Sequence, residues 1–524
     1  MMLVSSVALR AQTTITWSNS GASAWRSTSG WTGNVVPGGT DTAQVGATGV
    51  AGNRLAINFA TSPVVNDVQI GAFELTSAYV KADLAIVNSG DRINPSTLTF
   101  NGATVNGTAN VILRNASSLN LTIQHDGTHG SSPQPLGVVL GNSTANVVLI
   151  DGSGNITISS NISGSSKQLT LDRSVGSSGT GSLTLSGSNS FTGGVKVNAG
   201  TLNINSASAL GTGTLEIVGG TLDNTSGSTI SNSNNNAQTW SGNFTFTGTN
   251  DLNLGTGAVT LNGGNRTVTV SGGKLTVGGA IGDNADGYGL TKAGAGTLAL
   301  SGNNTYSGGT TISAGTLTAG HDNALGTGSV IVNTGGTLAI GDNVTIGNEI
   351  QLDGGALQGL GNNSKFSGTL SGSGTLTGPL TLTESAVYQW HLNSASTSGA
   401  NALSIATGTL TIADGAKIAL SFGNGEGVSP VAGGFWDVTQ TWTVISKGES
   451  GSIIASSVAV GDDNKSAWND PGNFQVALES GSLVLIWTPH VAAIPEPSTY
   501  AVWLGAAALV GAGWYRRRQR AAKA

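Results

Sequence analysis

Catalysis needs side chains that trade protons or hold a metal, and this chain places few of them together. His125, Asp126 and His129 fall close in sequence. Two imidazoles at i and i+4 can share a metal when a helix sets them on one face, but Gly127 and Thr128 between them signal a turn. Asp283, Asn284, Asp286 and Gly287 have the acidic, glycine-broken look of a calcium loop, yet no glutamate stands where the twelfth loop position falls. Asp462, Asp463, Asn464 and Asp470 form a second acidic turn. Solvated turns account for both clusters, because Asp and Asn side chains hydrogen-bond their own backbone there. Glycosidic cleavage needs two carboxylates flanking one bond. The repetitive middle of the chain instead carries Leu, Thr, Ser and Gly, with isolated charges such as Lys196, Glu216 and Lys292. There is no cysteine, so no thiol nucleophile, no thiolate metal site and no disulfide. No phosphate loop with its lysine and no nucleophile elbow is present. The reading is a non-enzymatic chain with no catalytic residue, no metal site and no cofactor. A polysaccharide lyase or hydrolase is the enzyme alternative, since aspartates from distant segments can still meet in space.

The elements that would carry any site are short strands. Gly is 81 of 524 residues, charged residues are only 9%, and hydrophobic residues are 38% and regularly spaced. Gly181 to Gly194 aligns with Gly296 to Gly309 at an offset of 115, and Ala199-Gly-Thr-Leu202 and Ala209 to Gly213 keep that offset with Ala314 to Leu317 and Ala324 to Gly328. The rarer pairs Phe191/Tyr306 and Asn189/Asn304 align as well. Inside each unit Leu183, Leu202 and Leu222 are 19 and 20 residues apart, and Leu298, Leu317 and Leu338 are 19 and 21 apart. Alternation around each Leu means a strand with one buried face, and the Gly-Gly, Ser-Gly and Asn-Gly clusters close it. Strands recurring at about twenty residues describe coils of a solenoid. The expectation is an all-β chain: a right-handed parallel β-helix with a small C-terminal β cap and one C-terminal transmembrane helix. About 390 residues at ~20 per coil give roughly nineteen coils, a rod on the order of 90 Å. Stacked β-sandwich modules are the alternative, but they need ~100 residues before a position recurs.

The segment Leu290-Thr-Lys-Ala-Gly-Ala-Gly-Thr-Leu-Ala-Leu-Ser-Gly-Asn-Asn-Thr-Tyr-Ser-Gly-Gly-Thr-Thr-Ile-Ser-Ala-Gly-Thr-Leu317 resembles the autotransporter-associated β-strand repeat, and the copy at 181–202 follows it more loosely. That resemblance implies a β-helical, passenger-like surface rod. Autotransporters end in a membrane barrel, and nothing after Thr439 is long enough to be one. Tryptophans mark the ends: Trp17, Trp25 and Trp31 before the repeats, Trp436, Trp442, Trp468 and Trp487 after them. They read as caps over the open ends of a solenoid, with sugar stacking as the functional alternative. The domain reading is residues 1–11 as a truncated or partial signal peptide, 12–40 as a Trp-rich N-terminal cap, 41–430 as the β-helical region, 431–488 as a C-terminal β cap and 489–524 as a tail.

That tail has three parts in order. Pro495, Glu496 and Pro497 precede an uncharged run ending at Tyr515, and Arg516, Arg517, Arg518 and Arg520 follow. At about 1.5 Å per residue the run 497–515 matches the ~30 Å apolar core of a bilayer. The arginines would stop transfer and stay on the cytoplasmic side, leaving everything before Pro495 outside. The arrangement resembles the PEP-CTERM sorting signal of Gram-negative bacteria. The resemblance implies an exosortase-type processing enzyme as partner and cleavage near the Pro-Glu-Pro. It implies export through an inner-membrane-anchored precursor to a mature form at the cell surface or outside the cell. The net charge is −6 although the C-terminal arginines and Lys523 are basic, which argues against nucleic acid as partner. Exopolysaccharide or other cell-surface glycans remain as candidate partners for an adhesive or structural protein.

Overall fold

The structure is a computed structural model that describes residues 14–17, 42–45, 54–57, 67–70, 72–77, 84–88, 96–124, 136–141, 145–392, 402–422, 438–455, 458–460 and 472–489. Every regular element among them is a β-strand, and nearly all strand pairs are parallel. The chain is a parallel β-helix. Its cross-section has three faces, visited in a fixed order. In one coil, Leu136–Leu140 lies on the first face, Asn146–Ile150 on the second and Ile156–Ile158 on the third. The next coil repeats this with Ile162–Ser163, Leu169–Asp172 and Ser182–Leu185.

Leucine spacing sets the register. Leu183 faces Leu202, and Leu202 faces Leu222. In the second copy Leu298 faces Leu317, and Leu317 faces Leu338. All six are fully buried in one core that runs the length of the rod. Each such side chain contributes about 1.5–3 kcal/mol of transfer free energy, so an in-register stack is strongly favoured over a slipped one. Continuous parallel pairing excludes the β-sandwich alternative, whose sheets are antiparallel. Coil length varies outside the repeats: Leu121 pairs with Ile156, 35 residues on, against 19 to 21 for the leucine stacks.

The ladder extends beyond both boundaries read from the sequence. Thr14–Trp17 already pairs in parallel with Thr42–Val45, inside the segment assigned to an N-terminal cap. Its alternating Thr-Ile-Thr-Trp is itself a strand signal. At the other end Leu403–Ile412 pairs in parallel with Gln440–Ala455. From residue 350 on, single long strands bend round a corner. Ile350–Gly359 pairs with Val330–Asn333 by its first half and with Gly336–Ile340 by its second, which joins two faces into one closed sheet. The parallel order stops where Ser482–Thr488 pairs antiparallel with both Gln440–Ala455 and Asn473–Glu479. Among the described residues no helix is long and apolar enough to cross a membrane, and the run 497–515 lies outside them.

Candidate functional site

Two kinds of polar device sit on this scaffold. The first is the pair of aligned asparagines. Asn189 accepts from the Ile162 amide at 2.8 Å and donates to the Ala209 carbonyl at 2.6 Å, so it ties the coil below to the coil above. Asn304 makes the same two bonds, to the Ile281 amide and the Ala324 carbonyl, at the same distances. Phe191 and Tyr306 follow two residues later and are fully buried. Gly211 and Gly326 let the chain pass over these rings: both have positive φ (63° and 69°), and a Cβ at either would collide with the ring and carbonyl beneath. The sequence alignment finds these residues, but only the structure shows that the asparagine is a coil-to-coil tie.

The second device uses aspartate at corners. Asp151 accepts from the amide and hydroxyl of Ser174, both at 2.7 Å. Asp223 holds the amide and hydroxyl of Thr249 in the same way. Asp283, the head of the expected calcium loop, accepts from Ala285, Gly287 and Tyr288 amides and from the amide and hydroxyl of Ser307. Burial alone would raise the Asp283 carboxyl, and the bonds from Ser307, Ala285 and Tyr288 outweigh it and hold it below its ordinary value. Its oxygens are spent on the amides of its own turn and on the amide and hydroxyl of Ser307 in the next coil, and the side chain is buried rather than solvated. No group of three or more His, Asp or Glu among the described residues could hold a metal ion.

Near the N-terminal end the ties are ionic. Gln44 donates to Glu74, Glu74 pairs with Arg114, and Arg114 Nε reaches Asp151 at 2.6 Å. Register brings them into line: Gln44 faces Glu74, and Glu74 faces Arg114. Burial would raise the Asp151 carboxyl, but the hydrogen bonds from Ser174 and the Arg114 guanidinium pull it down. Burial likewise opposes the charge on Arg114, and its two carboxylates raise it above its usual value. A glycosidase acid needs its carboxyl raised. Asp151 and Asp283 are both shifted the other way.

Two cations are buried on carbonyls alone. Lys292 sits in a core stack between Val268 and Ile312, fully covered, with Nζ on the carbonyls of Ala293, Gly294 and Ala314. Burial lowers it to about 8. Arg266, one coil below, donates to the carbonyls of Trp240, Asn265 and Asn262. The sequence marks Lys292 only as an isolated charge, because nothing local shows which carbonyls converge on it.

The described tryptophans are core. Trp442 and Trp487 are 1% and 2% exposed, and with Trp390 and Phe474 they form a chain of ring contacts under the antiparallel end. Sugar stacking on Trp442 or Trp487 is therefore ruled out, because both rings are buried. His125, Asp126, His129, Asp462, Asp463, Asn464, Asp470, Trp25, Trp31, Trp436 and Trp468 lie outside the described residues, as does the side chain of Trp17. So do Pro495, Glu496, Pro497, Arg516, Arg517, Arg518 and Arg520.

Residues 178–204 and 290–319 match the Passenger-associated-transport-repeat, and residues 493–519 match the PEP-CTERM protein-sorting motif. The chain carries both. No curated protein matches it. The two repeat matches span both tie asparagines and both buried rings. The sorting match spans Pro495 to Arg518 and marks the protein for export in a Gram-negative bacterium and for processing by an exosortase-type enzyme.

Proposed function

We propose that this exported, sorted protein is a non-enzymatic structural or adhesive rod, displayed at the cell surface or in the extracellular matrix. The observation that supports this best is how its polar groups are used. Asp151, Asp223, Asp283, Asn189 and Asn304 are all consumed in holding one coil to the next. What is left outside is a low-charge surface of Ser, Thr and Asn, which offers many weak hydrogen bonds to neutral polysaccharide. The precursor is held at the inner membrane by residues 497–515 and stopped by the arginines, and cutting near Glu496 releases the rod outward.

The test is intact mass and cell fraction of the mature protein, wild type beside Glu496→Ala. Loss of the arginine tail in wild type and its retention in the variant supports sorting, and an intact tail in both sinks it. Purified rod is then incubated with the host's own exopolysaccharide. Retention without release of new sugar ends fits the adhesive reading, and release of new ends replaces it with a lyase or hydrolase.

A further inference from the structure

One strip of the rod carries hydroxyls that nothing in the fold uses. Lys274–Val277, Thr297–Leu300, Gly315–Ala319 and Gly336–Ile340 stack in parallel, followed by the second halves of Ile350–Gly359 and Thr369–Thr377. Their leucines Leu275, Leu298, Leu317, Leu338, Leu357 and Leu376 are buried in the core. Strand alternation turns the residues on either side of each leucine outward. Register then builds two columns. Thr297, Thr316 and Thr337 run up the first, with Ala356 and Thr375 above them. In the second, Thr276, Ala299, Thr318, Ala339, Gln358 and Thr377 follow one another.

The threonines of both columns are partly open to solvent. Their hydroxyls make no hydrogen bond to any described residue. This reverses the use of polar groups elsewhere, where Asp283 and Asn304 are spent on the coils beside them. The strip carries no charge from Thr297 to Thr377, and Asp322 and Asp342 are exposed on the corner that follows it. At about 4.8 Å per coil and ~7 Å between outward positions of one strand, its six coils make a strip of roughly 24 by 7 Å.

We propose that this strip seats a neutral, unbranched, β-linked polysaccharide laid along the rod axis, which rests on the adhesive reading above and gives it a face and a ligand class. The strip is several times longer than it is wide, so a chain lies along it. An extended hexose ribbon advances by close to one coil spacing per ring, so about five rings fall on successive coils. Each threonine offers a hydroxyl to a ring hydroxyl and a methyl to the apolar face of the ring, and the alanines keep the floor low. An anionic chain would meet no cation along the strip and would run beside Asp322 and Asp342, so the matching polymer is uncharged.

Retention of the purified rod on amorphous cellulose, an unbranched β-linked glucan, tests the seat, beside retention on a polyuronate gel. Wild type should be held by the cellulose and not by the polyuronate. Thr316→Val, Thr318→Val and Thr337→Val together keep the side-chain shape, remove three hydroxyls and should weaken retention at least about tenfold. Ala356→Arg keeps every hydroxyl, raises an obstacle in the first column and should weaken it as much. The matched control is Thr267→Val, Thr291→Val and Thr311→Val, a column in register on another face, and it should bind as wild type does. Wild-type retention that neither strip variant weakens, or that the control weakens equally, overturns the seat and leaves the adhesive reading standing. Retention on the polyuronate alone does the same. A wild-type dimer that the valine variant splits gives the strip to a second copy and overturns the seat. No retention on cellulose, on polyuronate or on the host's own exopolysaccharide overturns the seat and the adhesive reading together.

Discussion

Coils near the N-terminal end and coils within the passenger repeats solve one problem in two ways. The first use charge: Glu74, Arg114 and Asp151 link neighbouring coils of the second face. The repeats use a neutral amide: Asn189 and Asn304 each bridge two backbones. A buried ion group has to offset its own desolvation and depends on pH. A buried carboxamide carries one donor and one acceptor side at no charge, so it can be copied 115 residues on without an added partner.

The largest break in this comparison comes from Arg114→Ala. It leaves Glu74 and Asp151 buried without their cation, and a loss of about 3–5 kcal/mol is expected in the coils from 72 to 174. Hydrogen exchange across those coils checks it. Acid should act on the same coils: the Asp151 carboxyl is depressed in the fold, so its contribution is present above its unfolded value near 3.9 and is lost as pH falls through the lower folded one. The coils around Asn189 should hold their protection over that range, and an equal acid loss there would erase the contrast.

Lys292 tests charge without an ion partner. Its folded value is about 8 against 10.5 for a free lysine. Between those values the unfolded chain binds a proton that the folded one has released, so stability should rise with pH across 8 to 10.5, by on the order of 3 kcal/mol, and be flat below. Pulse proteolysis in denaturant at stepped pH reads it, and Lys292→Met should abolish the slope.

Smaller effects sharpen the amide side. Asn189→Ala or Asn304→Ala orphans one buried amide and one carbonyl, and about 2–3 kcal/mol of local protection should go. The two losses should agree, since the bond lengths do. The least effect is expected from Tyr306→Phe. Its hydroxyl meets Thr310 Oγ1 at 2.6 Å, but Thr310 keeps the Leu325 carbonyl, and the first copy already carries Phe191. A change under about 1 kcal/mol in the denaturant midpoint is expected.

Much of the fold was legible before any coordinates. Leu183, Leu202 and Leu222 read as one stack because alternation and a twenty-residue period both follow from strand geometry, which is local. The alignment of Asn189 with Asn304 and of Phe191 with Tyr306 was legible too. Their roles were not, since Asn189 acts on residues 27 before and 20 after it. Arg114 gave no signal at all: its partners stand 40 residues before and 37 after, unlike the twenty-residue period of the repeats.

The chain by itself therefore determined its strands, the pitch of its coils and its sorting tail, because each depends on residues close in sequence. Only the tertiary structure decided which face each strand joins and which carboxylate meets which hydroxyl a coil away. Those outcomes depend on how many residues each corner consumes, and that sum over the whole winding is not written in any one segment.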